Sequence, residues 1–425
     1  MYKYKLKKLS NGLRILLVPS RESLSVQVMA LVNTGSDFES KDINGISHFI
    51  EHMCFKGTKK RPSSMAIAQE LDSVGGYYNA FTGQELTGYF VRVAKEKAEL
   101  ALDIISDMYL NSQFPLTAIE RERGVIIEEI NMYKDDPKSL INDYWFHLLY
   151  GDQAAGRPVI GSKTNIRRLG RKDFINYCKV HYHTRSSLLV ISGNFSEKKI
   201  MFQVKYYFAS LQQGKGKKKS SIIQRQKQPQ MFWKSKKTNQ SHLVLGFRDG
   251  TLFDKKKYIL VLANAVLNGG MSARLWQKVR EELGAAYYIQ GSVDLLTDHG
   301  SWIVKAGVDN NRVPNVIKVI LQEFGRLRKE LIPKAELKKA KDYIKGIMSL
   351  EVEDIHNFAN FLSFQELLER KMETPKEYWA NINKIKAEDI QQVARKLLRP
   401  CNLNLALISP SPKKKIKESL LSFPN

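Results

Sequence analysis

TNIRRLGRKDFINYCK (164–179) and ANINKIKAEDIQQVAR (380–395) are two versions of one segment. Asn165 matches Asn381, Ile166 matches Ile382 and Asp173 matches Asp389, each pair 216 residues apart. Each segment leads into an apolar, strand-like run, SSLLVISG (186–193) in the first case and NLNLALIS (402–409) in the second. An earlier pair, FPLTAIERERGVIIEEI (114–130) and IPKAELKKAKDYIKGIM (332–348), recurs at nearly the same separation. A period this long means two copies of one α/β domain, not a short-repeat solenoid. It also suits a chain of 425 residues, which is long enough for two domains of roughly 200.

Around these repeats, strand-like alternation runs through 13–19 and 25–33, and helix-forming stretches cover 44–56 and 62–74. GGYYNAFTG (75–83) opens with a turn and continues as a strand, and LTGYFVRV (86–93) is a second strand. Helices are expected at 95–112, 117–134, 138–150 and 171–181, and near 196–211. The stretch GKGKKKSSIIQRQKQPQ (214–230) is basic and poor in large apolar residues, and reads as an interdomain linker. The expected division is therefore 1–213, the linker 214–230, and 231–425.

Composition narrows the function classes. Hydrophobic residues make up 43% and aromatics 10%, as in a folded globular chain. Cys54, Cys178 and Cys401 form no CxxC pair and no disulfide framework, which fits a reducing compartment and a cytoplasmic location. No apolar run approaches the ~18 residues that span a bilayer, so no membrane partner is expected. The start, MYKYKLKKLSNGLRILLVPS, is basic and then apolar like a signal peptide. LRILLVP is too short for that, and a strand after the Asn11-Gly12 turn is expected instead. The net charge of +25 could suit a polyanion. Yet 214–240 alone hold nine Lys/Arg and no acid, and Lys413, Lys414, Lys415 and Lys417 crowd the tail. No nucleic-acid-binding motif accompanies them, so nucleic acid is not an expected partner.

The chemistry concentrates in SHFIEHMCFKGT (47–58), which spends two of only 8 histidines within one helical turn. At about 100° per residue His48, Glu51 and His52 share one ~100° arc, and Phe49, Ile50 and Met53 cover the other side. Imidazoles at i and i+4 reach a single metal ion, and the carboxylate between them can activate water beside it. HxxEH is the inverse of the HExxH pattern. A catalytic zinc keeps an open position and needs a third protein ligand. On the helix 117–134, Ile119, Ile126 and Ile130 mark the buried side. Glu122 and Glu129 border it, and Glu128 faces away. Glu129 is thus the expected third ligand, with Glu122 orienting a ligand. The second copy has no HxxEH and carries Ala340 and Ile347 where the first has Glu122 and Glu129. Residues present in one copy only are better explained by a site than by packing. His181 and His183 are read as structural.

NGLRILLVPS, TGSDFES, GISHFIEHMCFKGTKKRP, GGYYNAFTGQELTGYF, IERERGVIIEEINMYKDDP, GRPVIGSKTNI and NGGMSARLWQKVREELGAAYY occur in this order along nearly the whole chain. Together they resemble the M16 family of zinc peptidases, the inverzincins that include mitochondrial processing peptidases, pitrilysin and insulin-degrading enzymes. The resemblance implies an α+β fold: two homologous α/β sandwich domains with antiparallel-rich sheets packed by helices, the LuxS/MPP-like metallohydrolase fold. It implies His48, His52 and Glu129 as Zn2+ ligands, Glu51 as general base and Glu122 as an additional active-site glutamate. It implies that Asn79 and Ala80 lie on an edge strand that pairs with the substrate backbone, and that Arg280 and Tyr287 contact the substrate. GAAYY stands where relatives often have GLAYS, but Tyr287 is retained.

The implied function is a zinc endopeptidase that hydrolyses peptides or short unfolded polypeptides. The alternatives are a presequence-type processing peptidase, whose cationic substrates a +25 chain would repel, and a non-catalytic binding or structural subunit of a related complex. Relatives of this size carry two of the four homologous domains that enclose a peptide chamber. The resemblance therefore implies a homodimer, or a heterodimer with a related chain.

Overall fold

The computed structural model describes residues 2–214, 216–410 and 421–423, so the lysines of the tail at 413–415 and 417 lie outside the described residues. The first half runs β1 (Lys5–Lys8), β2 (Arg14–Pro19), β3 (Ser25–Val32), α1 (Ile46–Met53), α2 (Ser64–Asp72), β4 (Tyr77–Thr82), β5 (Thr87–Ala94), α3 (Ala98–Asn111), α4 (Leu116–Asp135), α5 (Pro137–Tyr150), α6 (Lys163–Arg168), α7 (Arg171–His181), β6 (Ser187–Gly193) and α8 (Glu197–Tyr207). The second half runs β7 (Gln230–Ser235), β8 (Ser241–Arg248), α9 (Lys257–Asn268), a π-helical stretch (Trp276–Glu282), β9 (Ala286–Leu295), β10 (Gly300–Val308), α10 (Val313–Lys329), α11 (Lys334–Glu351), α12 (Ile355–Leu368), α13 (Pro375–Lys384), α14 (Ala387–Leu397) and β11 (Leu403–Ser409).

The duplication is visible in the topology. One sheet has the order β1-β2-β6-β3-β5-β4 and the other β7-β11-β8-β10-β9. Apart from the extra β1, the two orders correspond strand for strand. β2, β3 and β6 begin at 14, 25 and 187, and their counterparts β7, β8 and β11 at 230, 241 and 403. In each sheet one pair is parallel, β2 with β6 and β7 with β11, and the remaining pairs are antiparallel. Two sheets packed by helices give the α+β class expected from the sequence.

Two local differences have simple causes. β1 (KLKK) carries charges on both sides of Leu6 and gives no strand signal, but it pairs with β2 in register Leu6↔Leu16 as an outer strand. α1 is shorter than the expected 44–56. Gly45 precedes it in the left-handed region (φ 102), and a Cβ there would sit 2.8 Å from Ile160 O. At the other end the last turn tightens, with the Phe55 N–H donating to His52 O.

The chain forms two compact units, and their boundaries interleave along the sequence. One comprises Met1–Asn131, Arg157–Ser220 and Glu351–Met372, and the other Met132–Gly156, Ser221–Leu350 and Glu373–Asn425. Thus α12 from the second half belongs to the first unit, and α5 from the first half belongs to the second. In the first unit, Ile15, Leu17, Val26, Val28, Leu189 and Ile191 pack beneath α1, α3 and α7. The intervening residues Leu16, Val18, Met29, Leu31, Leu188 and Val190 face Ile355, Phe358, Ala359 and Leu362 of α12. A strand buried on both faces reads as a continuous apolar run, which explains RILLV and SLLVIS. In the second unit Val244, Ile303, Ala406 and Ile408 are covered by Leu140, Ile141, Trp145 and Leu149 of α5. No helix among the described residues is long and apolar enough to cross a membrane.

Candidate metal and catalytic site

α1 is anchored from one side and turned out of the core on the other. Phe49, Ile50 and Met53 are fully buried, which turns His48, Glu51 and His52 out of the core together. The start of α1 is held by Glu39, which is fully buried and accepts from the backbone N–H of Gly45 (2.7 Å) and of Ser47 (2.9 Å). Burial raises the Glu39 pKa even against these hydrogen bonds.

α4 supplies the opposing carboxylates. Ile119, Ile126 and Ile130 fix its rotation by burial, which brings Glu122 and Glu129 to the same border and leaves Glu128 exposed. Glu129 Oε2 lies 3.7 Å from His48 Nε2 and 3.6 Å from His52 Nε2. Among the described residues, His48, His52 and Glu129 form the one group of three His, Cys, Asp or Glu side chains with donor atoms all within 4.8 Å. Glu129 Oε2 and His48 Nδ1 are buried without a hydrogen-bond partner. Two nitrogens and one oxygen facing a common point, with the oxygen unsatisfied, fit a divalent cation such as zinc.

The electrostatics agree. Burial, and then the neighbouring His52, push the His48 pKa down to about 3, so this imidazole is neutral at physiological pH, as a ligand must be. His52 Nδ1 lies 2.8 Å from Glu122 Oε1. Burial alone would raise the Glu122 pKa, but its hydrogen bonds from His52 and Lys56 outweigh this and lower it. Lys56 Nζ sits 2.7 Å from Glu122 Oε2. Burial raises the Glu51 pKa, and the hydrogen bond from Thr82 Oγ1 to Glu51 Oε2 (2.5 Å) opposes it.

Thr82 ends β4, the outermost strand of its sheet, which carries Asn79 and Ala80. There the Ala80 N–H donates to Asn79 Oδ1 at 2.8 Å. Arg280 and Tyr287 lie in the second unit. The Arg280 guanidinium stacks over Trp276 (4.3 Å to the ring centroid) and reaches toward the ring of Tyr287 (5.9 Å), which is 74% exposed. His181 stacks on Tyr177 in the core, and His183 Nδ1 accepts from the Ser186 N–H; neither belongs to the His48, His52 and Glu129 group. Sequence reading missed Glu39, Lys56 and Thr82. Lys56, one turn beyond His52, had a detectable spacing, whereas Glu39 and Thr82 reach the site only through the tertiary fold.

Residues 14–163 match Insulinase (Peptidase family M16), and residues 168–344 match the Peptidase M16 inactive domain. The chain belongs to peptidase family M16. It is 33% identical to the uncharacterized zinc protease YmxG of Bacillus subtilis, over 94% of this chain and 97% of that protein. It is 30% identical to an uncharacterized zinc protease of Rickettsia felis, over 96% and 98%. The fold is shared with a protease from Helicobacter pylori at a TM-score of 0.90 and 21% identity, covering 96% of this chain and 100% of that one. It is shared too with a peptidase M16 inactive domain structure from Pseudomonas fluorescens, at 0.89 and 16%, covering 96% and 98%. This M16 chain has the family's two-domain architecture, with the HxxEH helix in the first half only.

Proposed function

We propose that this chain is a zinc endopeptidase acting on peptides or short unfolded polypeptides, with His48, His52 and Glu129 holding the metal and Glu51 as general base. The observation that carries this reading is the convergence of the two imidazole nitrogens on the buried, unsatisfied Glu129 Oε2 at 3.6 and 3.7 Å. Zinc held there supplies Lewis acidity toward water and a peptide carbonyl.

The chain's own residues do the rest. Glu51 Oε2 is engaged by Thr82, which leaves Oε1 to take the proton from the attacking water. Burial makes this carboxylate a stronger base than one in water. The same proton then passes from Glu51 to the leaving amine as the C–N bond breaks. Glu122 holds the proton on His52 Nδ1, which keeps Nε2 as the lone-pair donor. A substrate strand adds at the free edge of β4, taking over the Ala80 N–H from Asn79. Such pairing reads backbone, so side-chain selectivity is broad. Tyr287 and Arg280 contact the substrate, with the Tyr287 hydroxyl donating to the developing oxyanion.

The active form is a homodimer with composite sites, supported by the family likeness and by one chain carrying both the HxxEH set and the Arg280/Tyr287 pair. Gel filtration showing monomers alone at full activity would refute it. The catalytic reading is tested by metal analysis with cleavage of a quenched peptide. Wild type binds zinc and cleaves, whereas Glu51→Gln retains the metal and loses on the order of 10²–10⁴ in kcat. A zinc-loaded wild type that cleaves none of a varied peptide set would overturn it.

A further inference from the structure

The lysines that follow Gly216 read in the sequence as a solvated linker, but Lys219 is docked in the first unit. Its side chain is 11% exposed, and its Nζ pairs with Glu85 and lies 3.7 Å from Asp37 Oδ2; both carboxylates are 1% exposed. Glu85 sits in the turn between β4 and β5, and Asp37 in the loop that follows β3.

Turn and loop are knit together. The Ser36 N–H donates to Gly83 O at 3.3 Å, the Asp37 N–H to Gln84 O at 2.9 Å, and Thr87 Oγ1 to Thr34 O at 3.0 Å. Gly35 permits this approach, since a Cβ there would lie 2.2 Å from Gly83 O. Lys219 adds a charged clasp across the same junction. The turn immediately follows Thr82, whose hydroxyl holds Glu51 Oε2. Three links therefore join a linker cation to the general base: Lys219 to Glu85, the turn to Thr82, and Thr82 to Glu51.

We propose that Lys219 is a positioning residue for Glu51. Its ammonium offsets the two buried carboxylates and holds the 83–86 turn against the 34–37 loop, which fixes Thr82 over the base. The first unit's second segment ends at Ser220, one residue later, so the clasp lies where the chain leaves that unit. Displacement of the connection is thereby transmitted to Glu51. The inference rests on the reading of Glu51 as general base.

The test uses the full-length, zinc-loaded chain as wild type, Lys219→Met, Lys219→Arg and the double variant Lys219→Met/Glu85→Gln. Kinetics, bound zinc and backbone hydrogen exchange at 82–87 are measured for each. The expected result for Lys219→Met is faster exchange at 82–87 and a fall in kcat on the order of 10- to 100-fold, from misplacement of the base. KM stays within about twofold and bound zinc is unchanged. Lys219→Arg, which keeps the cation, recovers both readouts, whereas the double variant, which relieves the uncompensated Glu85 charge but has no clasp, keeps the faster exchange and the lower kcat. If Lys219→Met fails to fold, Lys219→Arg and the double variant against Glu85→Gln alone carry the comparison. Unchanged exchange at 82–87 overturns the clasp. Faster exchange with unchanged kcat overturns the positioning role. A wild type that cleaves nothing sinks the endopeptidase reading instead, and the exchange data still report on the clasp.

Discussion

His52 Nδ1 lies 2.8 Å from Glu122 Oε1, and a carboxylate at that distance fixes which imidazole nitrogen carries the proton. Glu122→Ala removes this acceptor and also the carboxylate that pairs with Lys56. Zinc affinity is expected to fall about 10- to 100-fold, read by competition with a chromogenic chelator. Undiminished affinity would mean that Glu122 does not orient His52.

Tyr287 is exposed beside Arg280 and is not among the core residues of its unit. Tyr287→Phe keeps the ring and deletes only the hydroxyl. On the proposed role it lowers kcat/KM by about 10²-fold, with thermal midpoint and bound zinc unchanged. Full activity in the phenylalanine variant would remove Tyr287 from the reaction.

His181 stacks on Tyr177 with ring centroids 4.2 Å apart, and burial pushes its pKa down to about 4. Lys217 and His183, which also face it, act in the same direction. In the unfolded chain this imidazole titrates near ~6.5. Between the two values the unfolded state binds more protons, so the contribution to stability is full above ~6.5 and is lost as pH falls toward about 4. His181→Phe preserves the stacked ring and removes roughly 3 kcal/mol of that dependence at most. Urea midpoints at neutral and acid pH check this: wild type loses more on acidification than the variant, and equal losses would contradict it.

Phe358 of α12 is 1% exposed against the first sheet. Phe358→Ala is expected to cost about 3–5 kcal/mol in denaturant unfolding, as for a core aromatic. A surface-like cost below about 0.5 kcal/mol would mean that α12 does not cover that sheet.

The legible parts of this protein were those that a single helix encodes. The shared face of His48, Glu51 and His52 follows from 3.6 residues per turn, as does the separation of Glu129 from exposed Glu128 on α4. The doubled topology was legible from a few residues held 216 apart. What stayed hidden depends on non-local contacts. Thr82 meets Glu51 because a strand end passes over a helix, and neither segment's pattern mentions the other. Lys219 is one of three consecutive lysines, and only its carboxylate partners distinguish it. α12 shows that it is apolar on most sides, but nothing in its residues says which sheet it covers.

The placement of α12 has a consequence for biosynthesis. The sheet bearing the HxxEH unit is complete by Gly193, but one of its faces is sealed by Ile355–Leu368. On the ribosome, Leu16, Met29, Leu31 and Val190 emerge long before the residues that shelter them, and must wait while well over a hundred further residues are added. The nascent N-terminal half is therefore a natural client for chaperones, and a chain released between Gly193 and Ile355 carries every expected zinc ligand on a domain that cannot close its own core.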